Sequence, residues 1–258
     1  MTPQRFLLRL AYDGSEFHGW QVQPGVRTVQ EVIEQAVSAI AKQPVAVHGS
    51  GRTDTGVHAT GQAAHIDWPL DMTADQVRLA IGSRLPPDVQ VLEAIPVAPD
   101  FHARFDARER RYVYLLEERN SPFTRRFRSV MPRLTLHPER MKKLLPAFLG
   151  AHDFAAFCRP TPDLPHTRCE LREFSLEDAG DHLRFTLRAN RFLHNMVRRL
   201  VGCVAVLAAQ DEGIDTAARL LREATPHPRL IPTAPPQGLY LTEALYPALE
   251  TPGCELEV

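Results

Sequence analysis

Residues 183–207 read LRFTLRANRFLHNMVRRLVGCVAVL, and their hydrophobic periodicity changes midway. Leu183, Phe185 and Leu187 alternate with polar residues, which predicts a half-buried antiparallel strand with arginines on its outer face. From Leu193 to Leu207 the apolar residues recur three or four positions apart, which predicts a helix with one apolar stripe. A strand and a helix of this kind bury their apolar surfaces against each other, so the stretch predicts a sheet with a helix on one face.

The first hundred residues carry a similar pattern. Phe6–Tyr12, Val45–Val47 and Ala63–Trp68 are apolar runs bounded by turn residues, and each is predicted as a strand. The apolar positions between Val29 and Ile40 recur at helical spacing. This part of the chain therefore also predicts a sheet with amphipathic helices.

Two helices of this region have sequence signals at their starts. Thr28 with Glu31, and Thr73 with Gln76, have the spacing of a capping box. In that motif the threonine accepts a hydrogen bond from a backbone N–H and the acidic or amide side chain bonds back to the threonine N–H. We therefore predict side-chain caps at both threonines.

The second half of the sequence predicts further elements of the same kinds. Tyr112–Leu116 and Leu239–Leu245 are predicted strands. A helix is predicted over His137–Leu149, where Pro146 must kink or split it. The fold class is therefore α+β, with two similar halves, each a mostly antiparallel sheet with helices on one face. We place the domains at residues 1–105 and 106–258, and expect the outer sheet faces to be free to bind RNA.

Composition excludes several classes of protein. The chain has 258 residues, 44% hydrophobic and 24% charged, as is usual for soluble globular proteins. It shows neither a signal peptide nor an apolar run long enough to span a membrane, and its four cysteines are too few for a disulfide framework. We therefore expect a cytoplasmic protein. The net charge is −1, but residues 101–200 are strongly basic between acidic flanks, which suggests a polyanionic partner.

One stretch resembles a metal site in its residue types. His152, Cys158, His166 and Cys169 lie close in sequence, but their spacings match none of the usual zinc patterns, in which ligands come as tight pairs. We expect no metal there, and interpret the cysteines as small buried side chains.

The densest polar cluster is GSGRTDTGVHA over residues 49–59, where three glycines favour a tight exposed loop after a strand. Asp54 in this loop is suited to act as a nucleophile or a general base, and the alternative is a turn residue that bonds its own backbone. The loop is not a phosphate-binding P-loop, because the pattern GxxxxGK[ST] is absent.

This loop resembles GRTDxGVHA, the signature of the tRNA pseudouridine synthase A family. YDGSEFHGWQ (12–21) is similar to the family's YDGTxFxGWQ, with serine in place of threonine. FHARF (101–105), RYVY (111–114), HDF (152–154), ANRFLHNMVRRLVG (189–202) and APPQGLYL (234–241) follow in family order. The sequence departs from the family pattern at Ser15, Asp106 and Arg199. None of these departures affects Asp54, the aspartate of the signature.

The resemblance implies an isomerase that detaches uracil from ribose and rejoins it through C5 without a cofactor. It implies a homodimer acting on uridines 38, 39 and 40 of the tRNA anticodon stem-loop, with the active cleft between the two halves. Asp54 matches the catalytic aspartate, and Arg52 the arginine that holds the flipped nucleotide. Tyr112 matches the tyrosine that stacks on uracil, and Arg198 the arginine that partners the aspartate.

Structural roles remain as alternatives for these residues. Arg52 could brace the loop and Tyr112 could fill the core. His58 and His194 are interpreted as structural, and Arg199 as a contact to solvent or phosphate. Candidates for phosphate contacts are the arginines at positions 104, 108, 110, 111, 125, 126 and 128.

Two other functions compete with the isomerase. A catalytically silent RNA-binding protein would not need the set of Asp54, Arg52, Tyr112 and Arg198. An aspartate-dependent hydrolase would need a metal cluster or a Ser/His/Asp spacing, and the sequence offers neither.

Overall fold

The computed structural model describes residues 3–160, 166–223, 225, 227–247 and 249. The chain folds as two compact units, Met1–Arg108 with Tyr240–Val258, and Glu109–Leu239. This division differs from the predicted domains 1–105 and 106–258, because the last strand returns to the first unit. Its backbone pairs with a strand of that unit, and the Tyr246 hydroxyl donates to the carbonyl of Ala103 at 2.7 Å.

The first unit is built on an antiparallel sheet with two helices. Its elements are β1 (Gln4–Tyr12), α1 (Val29–Ala41), β2 (His48–Gly49), β3 (His58–Trp68), α2 (Ala74–Gly82), β4 (Val89–Pro96) and the last strand of the chain, β10 (Leu239–Leu245). The order is β4-β1-β3-β10; β1 pairs antiparallel with β3 and β4, β10 pairs parallel with β3, and β2 pairs antiparallel with β3.

Both faces of the central strand β1 are buried. Phe6, Leu8 and Leu10 point to one face. Leu7 on the opposite face packs in a cluster with Ala63 of β3 and with side chains from the segments that follow β4 and β10. The second face of this sheet is therefore covered by irregular segments and is not the open RNA-binding surface expected from the sequence.

The second unit has the same class of architecture. Its elements are β5 (Glu109–Glu117), β6 (Ser129–Val130), α3 (Pro138–Leu144), β7 (Gly150–Asp153), β8 (Arg168–Asp178), β9 (Leu183–Ala189), α4 (Met196–Ala209) and α5 (Ile214–Glu223). The order is β5-β9-β8-β7, all antiparallel, with β6 parallel to β5. The predicted α+β class with two mostly antiparallel halves is confirmed.

The two faces of the second sheet differ in character. Phe174 and Phe185 on the buried face form a chain of ring contacts with Phe148, which lies just after α3. On the other face, Arg188 lies 3.2 Å from the carboxylate of Glu109. Further ion pairs there join Arg172 to Glu109 and Glu170, and Arg111 and Arg188 to Glu173. The outward arginines are as predicted, but carboxylates of the same sheet pair with them, so this face is not a free cationic surface.

Most predicted elements are present. The alternation over Leu183–Ala189 gives a strand with alternate residues buried. The helix predicted over His137–Leu149 is split, since α3 ends at Leu144 and a 3₁₀ turn contains Pro146. The capping box of Thr73 and Gln76 is also confirmed, with both reciprocal hydrogen bonds formed.

Two local predictions are wrong. Val45–Val47 is not a strand, because side chains of α1 bind its backbone: Ser38 accepts from the N–H of Val45, and Glu34 from that of Val47. Thr28 stands at the start of α1 but makes no capping bond, and its buried hydroxyl has no hydrogen-bond partner among the described residues.

Candidate functional site

The loop over residues 49–59 joins β2 to β3, and its first residues are fixed to β3. The N–H of Ser50 donates to the carbonyl of Ala63 at 2.7 Å. Its hydroxyl donates to Gln62 Oε1 at 2.8 Å, and Gln62 Nε2 donates to the carbonyl of Gly51 at 3.0 Å. The buried Gln62 side chain therefore holds the loop where it leaves the sheet.

The middle of the loop is fixed to the segment that follows β1. Thr53 is buried, and its Oγ1 lies 2.8 Å from the hydroxyl of Tyr12. The N–H of Trp20 donates to the carbonyl of Thr53 at 3.0 Å. Burial raises the pKa of Tyr12, so its phenol stays protonated and continues to hydrogen-bond.

Arg52 and Asp54 flank this buried threonine. Arg52 is exposed and Asp54 is half-buried. The carbonyl of Asp54 accepts from the N–H of Val57 at 3.1 Å, which closes a turn in which Gly56 has a positive φ of 76°. Because the backbone on both sides is hydrogen-bonded, the Asp54 carboxylate is carried by a fixed loop.

Two glycines of the motif 12–21 let the chain approach this loop closely. A Cβ on Gly14 would lie 2.0 Å from the carbonyl oxygen of Val57. A Cβ on Gly19, whose φ is +88°, would lie 2.7 Å from the carbonyl oxygen of Thr53. The motif therefore supports the loop sterically. The glycines of the motif were visible in the sequence, but their contact with the loop was not.

His58 is structural, as predicted. Its ring is buried, its Nδ1 accepts from the N–H of Gly14 at 3.0 Å, and it stacks on Tyr240 with ring centroids 4.9 Å apart. It also lies 3.2 Å from the carboxylate of Asp13.

Tyr112 lies on β5 in the second unit. Its side chain is 8% exposed, and its ring meets Phe192 edge-on with centroids 5.0 Å apart. Tyr114 shares its face of the strand and donates from its hydroxyl to the carbonyl of Pro235 at 2.8 Å. Tyr114 is thus bound internally, whereas the ring of Tyr112 packs beside the segment that leads to α4.

Arg198 lies on α4 and is held by two hydrogen bonds. Its Nε donates to the carbonyl of Ala234 at 2.7 Å, and its Nη1 donates to Asn195 Oδ1 at 3.0 Å. Asn195 stands just before α4 in the left-handed conformation, with φ of 64°. The sequence motifs assign no role to Asn195, and the signal that could have pointed to it is that asparagine tolerates the left-handed region.

Asp54 and Arg52 thus share a loop of the first unit, and Tyr112 and Arg198 belong to the second. Within the second unit, the carbonyl groups of Ala234 and Pro235, in the motif over residues 234–241, accept hydrogen bonds from Arg198 and Tyr114, respectively.

The arginines predicted to contact phosphate divide into two groups. Arg128 lies 2.6 Å from Asp181, Arg111 lies 3.7 Å from Glu173, and Arg110 donates to a backbone carbonyl at 3.3 Å. The second group has exposed side chains and stands at positions 104, 108, 125 and 126. Only part of the basic block, residues 101–200, is therefore placed to contact a polyanion.

Arg199 is half-buried, and it makes an internal hydrogen bond that the sequence did not predict. Its Nη1 donates to the carbonyl of Cys158 at 2.6 Å, which ties α4 to the segment between β7 and β8. Cys158 and Cys169 are buried, burial raises the pKa of both thiols, and that of Cys169 reaches about 11. In the described part of the chain no three His, Cys, Asp or Glu side chains are grouped to hold a metal ion. Cys254 lies outside the described residues.

No helix within the described ranges is long and apolar enough to cross a membrane.

Comparison with known proteins decides the family. The family model described as tRNA pseudouridine synthase matches residues 10–106 and 145–247, which include the loop that carries Asp54. The chain belongs to the tRNA pseudouridine synthase family. This membership identifies its class of activity as isomerase.

Curated relatives of this family match nearly the whole chain. A tRNA pseudouridine synthase A of Limosilactobacillus fermentum is 40% identical over 249 residues, covering 94% of this chain and 96% of the relative. The enzyme of the same name from Halalkalibacterium halodurans is 38% identical, covering 92% and 90%. That of Maricaulis maris is 39% identical, covering 94% and 98%.

Proposed function

We propose that this protein isomerises uridine to pseudouridine at positions 38, 39 and 40 of the tRNA anticodon stem-loop, with Asp54 as the essential carboxylate. The observation that carries the proposal is the loop over residues 49–59, in which the half-buried Asp54 stands on a backbone that is hydrogen-bonded at Thr53 and at Asp54 itself. The match to the tRNA pseudouridine synthase family spans this loop.

The reaction rearranges bonds within one nucleotide. The bond between N1 of uracil and C1′ of ribose breaks, and a bond between C5 and C1′ forms. C5 loses a proton and N1 gains one, so substrate and product contain the same atoms and no oxidant or reductant is needed. A carboxylate can attack the base, attack the ribose or remove the proton, and each of these roles is open to Asp54.

The other three residues prepare the nucleotide and the carboxylate. A paired uridine must leave the stem before it can react, at a cost of a few kcal/mol. We assign the exposed Arg52 to holding the flipped nucleotide and Tyr112 to stacking on uracil. Arg198 matches the arginine that partners the aspartate in the family, and a nearby guanidinium favours the ionised carboxylate.

The same proposal includes the working form of the enzyme. We propose a cytoplasmic homodimer that binds tRNA and uses no cofactor. The exposed arginines of the basic block would neutralise phosphates of the substrate.

Mapping pseudouridines in tRNA from cells that lack this protein tests the function. We expect unmodified uridine at positions 38, 39 and 40 of the substrate tRNAs, and restoration by a plasmid that encodes the wild-type chain. Full modification at all three positions in the deleted strain would contradict the proposal.

A further inference from the structure

The turn that follows β5 presents an aromatic ring to solvent. Phe123 is 92% exposed, more than any other large hydrophobic side chain in the described ranges. Exposure of a single apolar residue is common, so the ring requires further observations before it indicates a binding site.

The turn that carries Phe123 is fixed to β5. Thr124 donates from its hydroxyl to the carboxylate of Glu117 at 2.7 Å, and Glu117 is buried at the end of the strand. The N–H of Phe123 donates to Ser121 Oγ at 3.3 Å, and the N–H of Arg125 donates to the Ser121 carbonyl at 2.9 Å. The ring therefore projects from an ordered turn.

The end of the turn is fixed as well. The N–H of Arg128 donates to the carbonyl of Thr124 at 2.8 Å, and its guanidinium pairs with Asp181 at 2.6 Å. Arg128 is therefore engaged in an internal ion pair, and its role is to hold the turn in place.

The surface beside the ring is basic. Arg119, Arg125 and Arg126 are exposed, and of the exposed carboxylates nearby Glu118 is adjacent in sequence and Asp181 is paired with Arg128. An aromatic face among guanidinium groups matches the chemistry of an unstacked nucleotide, whose base stacks on the ring while its phosphates meet the arginines.

We propose that residues 119–126 form a stacking platform for an unpaired nucleotide of the tRNA substrate. This inference rests on the proposed function, since tRNA is the polyanion that the protein must hold. A second copy of the chain would fit this surface less well, because a two-fold contact centred on the turn would bring like-charged arginines together.

The test compares tRNA affinity among single variants. Phe123→Ala removes the ring, Phe123→Trp keeps a stacking surface, and Leu79→Ala removes another exposed apolar side chain, 60% exposed on α2. Loss of one base–aromatic stack weakens binding by about tenfold. We expect that loss for Phe123→Ala only, with kcat at saturating tRNA unchanged and KM raised.

The charge of the platform is tested by salt. Arg125→Ala should lower the slope of log affinity against log salt by about 0.7–0.9, the value for one phosphate contact. Phe123→Ala should leave the slope unchanged, because the ring is neutral.

Two results would overturn the inference. One is wild-type tRNA affinity in Phe123→Ala that folds with a normal melting curve. The other is a shift of that variant to a smaller species in sedimentation, since the ring would then serve a contact between copies. Wild-type turnover is measured alongside: its absence refutes the proposed function, whereas normal turnover with unchanged affinity in Phe123→Ala refutes the stacking platform alone.

Discussion

Arg198 shows how neighbouring groups fix the direction of one candidate site residue. Two of its donors bind Ala234 and Asn195, which fixes the direction of the guanidinium relative to α4. Asn195 can make its bond because it occupies the left-handed region, which asparagine and glycine tolerate.

The variant Asn195→Gly therefore tests whether Asn195 positions the Arg198 guanidinium without disturbing the fold. Glycine accepts the same backbone conformation, so the melting temperature should change little. The lost hydrogen bond to a charged group is worth about 1.5–3 kcal/mol, so kcat should fall by about tenfold to a hundredfold with KM nearly unchanged. Asn195→Asp keeps an acceptor and should retain more activity. Full activity in the glycine variant would show that Asn195 does not position Arg198.

His65 is the residue whose protonation should matter most for the first unit. Its Nδ1 accepts from the N–H of Ala103 at 3.1 Å, and its ring stacks on that of His48 and meets that of His102 edge-on. Burial, followed by the electrostatic interactions with His48, His102 and Arg5, lowers its pKa to about 4, while Asp67 opposes that shift. Protonation at Nδ1 would break the bond to Ala103.

The sign of the pH effect follows from this lowered pKa. The unfolded chain takes up the proton near pH 6.5 and the folded chain only near pH 4. The stabilisation is fully present above pH 6.5 and is lost as the pH falls towards 4. Because part of the ring cluster is open to water, we expect an effect on the order of 1–2 kcal/mol.

His65→Asn supplies the comparison for that effect. Asn Oδ1 can accept from the Ala103 N–H but does not titrate in this range. Denaturant unfolding at pH 7 and pH 4.5 should show a smaller loss of stability in the variant than in wild type. Equal losses in both proteins would contradict the assignment.

Among the elements, the segment after β1 supports the loop over residues 49–59, which carries Asp54. Gly14 and Gly19 allow backbone-to-backbone approach where a methyl group would meet carbonyl oxygens of the loop. This is a requirement of packing between two segments, so the spacing within either motif does not reveal it.

Gly14→Ala and Gly19→Ala should both destabilise the protein by at least about 1–3 kcal/mol, the usual cost of overpacking. Gly51→Ala is the matched control in the loop itself, since a Cβ there meets no atom within 4 Å. Urea midpoints measure the difference. A stability of Gly14→Ala equal to that of Gly51→Ala would rule out the steric support.

The elements also show what the sequence could predict. Periodicity and apolar runs identified most strands and the helix α4, because these elements bury apolar side chains within their own unit. It failed at Val45–Val47, where Glu34 and Ser38 satisfy the backbone that a strand would have used. It failed at Thr28 because a capping pattern does not ensure that the threonine side chain reaches the helix N–H groups.

The candidate site was predictable to a similar extent. Asp54 stands in a loop rich in glycine, and the resemblance identified it together with Arg52, Tyr112 and Arg198. Asn195 and the glycine contacts were not predictable, because they depend on distances between segments far apart in sequence.

At the scale of the whole molecule, several arginines of the basic block, residues 101–200, form ion pairs within the fold. The carboxylates of Glu109 and Glu173 bind arginines across the second sheet. We therefore expect the remaining exposed arginines to supply most of the contacts to tRNA phosphates.

Salt titration measures how many of these arginines act. Log affinity should fall linearly with log salt, at about 0.9 per duplex phosphate neutralised. Filter binding at several salt concentrations gives the slope. A flat response would contradict a role for the basic block.

We propose that Asp54 is the carboxylate that acts on the nucleotide during the isomerisation. Asp54→Asn keeps the size of the side chain and removes the carboxylate, and an amide is neither nucleophile nor base under these conditions. Affinity should persist, because it comes chiefly from contacts to the RNA backbone. A melting curve first establishes that the variant is folded.

The most direct measurement is single-turnover pseudouridine formation with enzyme in excess over tRNA, for wild type and for folded Asp54→Asn at equal tRNA occupancy. We expect the wild type to convert the bound tRNA, and the variant to bind tRNA without converting it. Near-normal conversion by the folded variant would contradict the proposed role of Asp54.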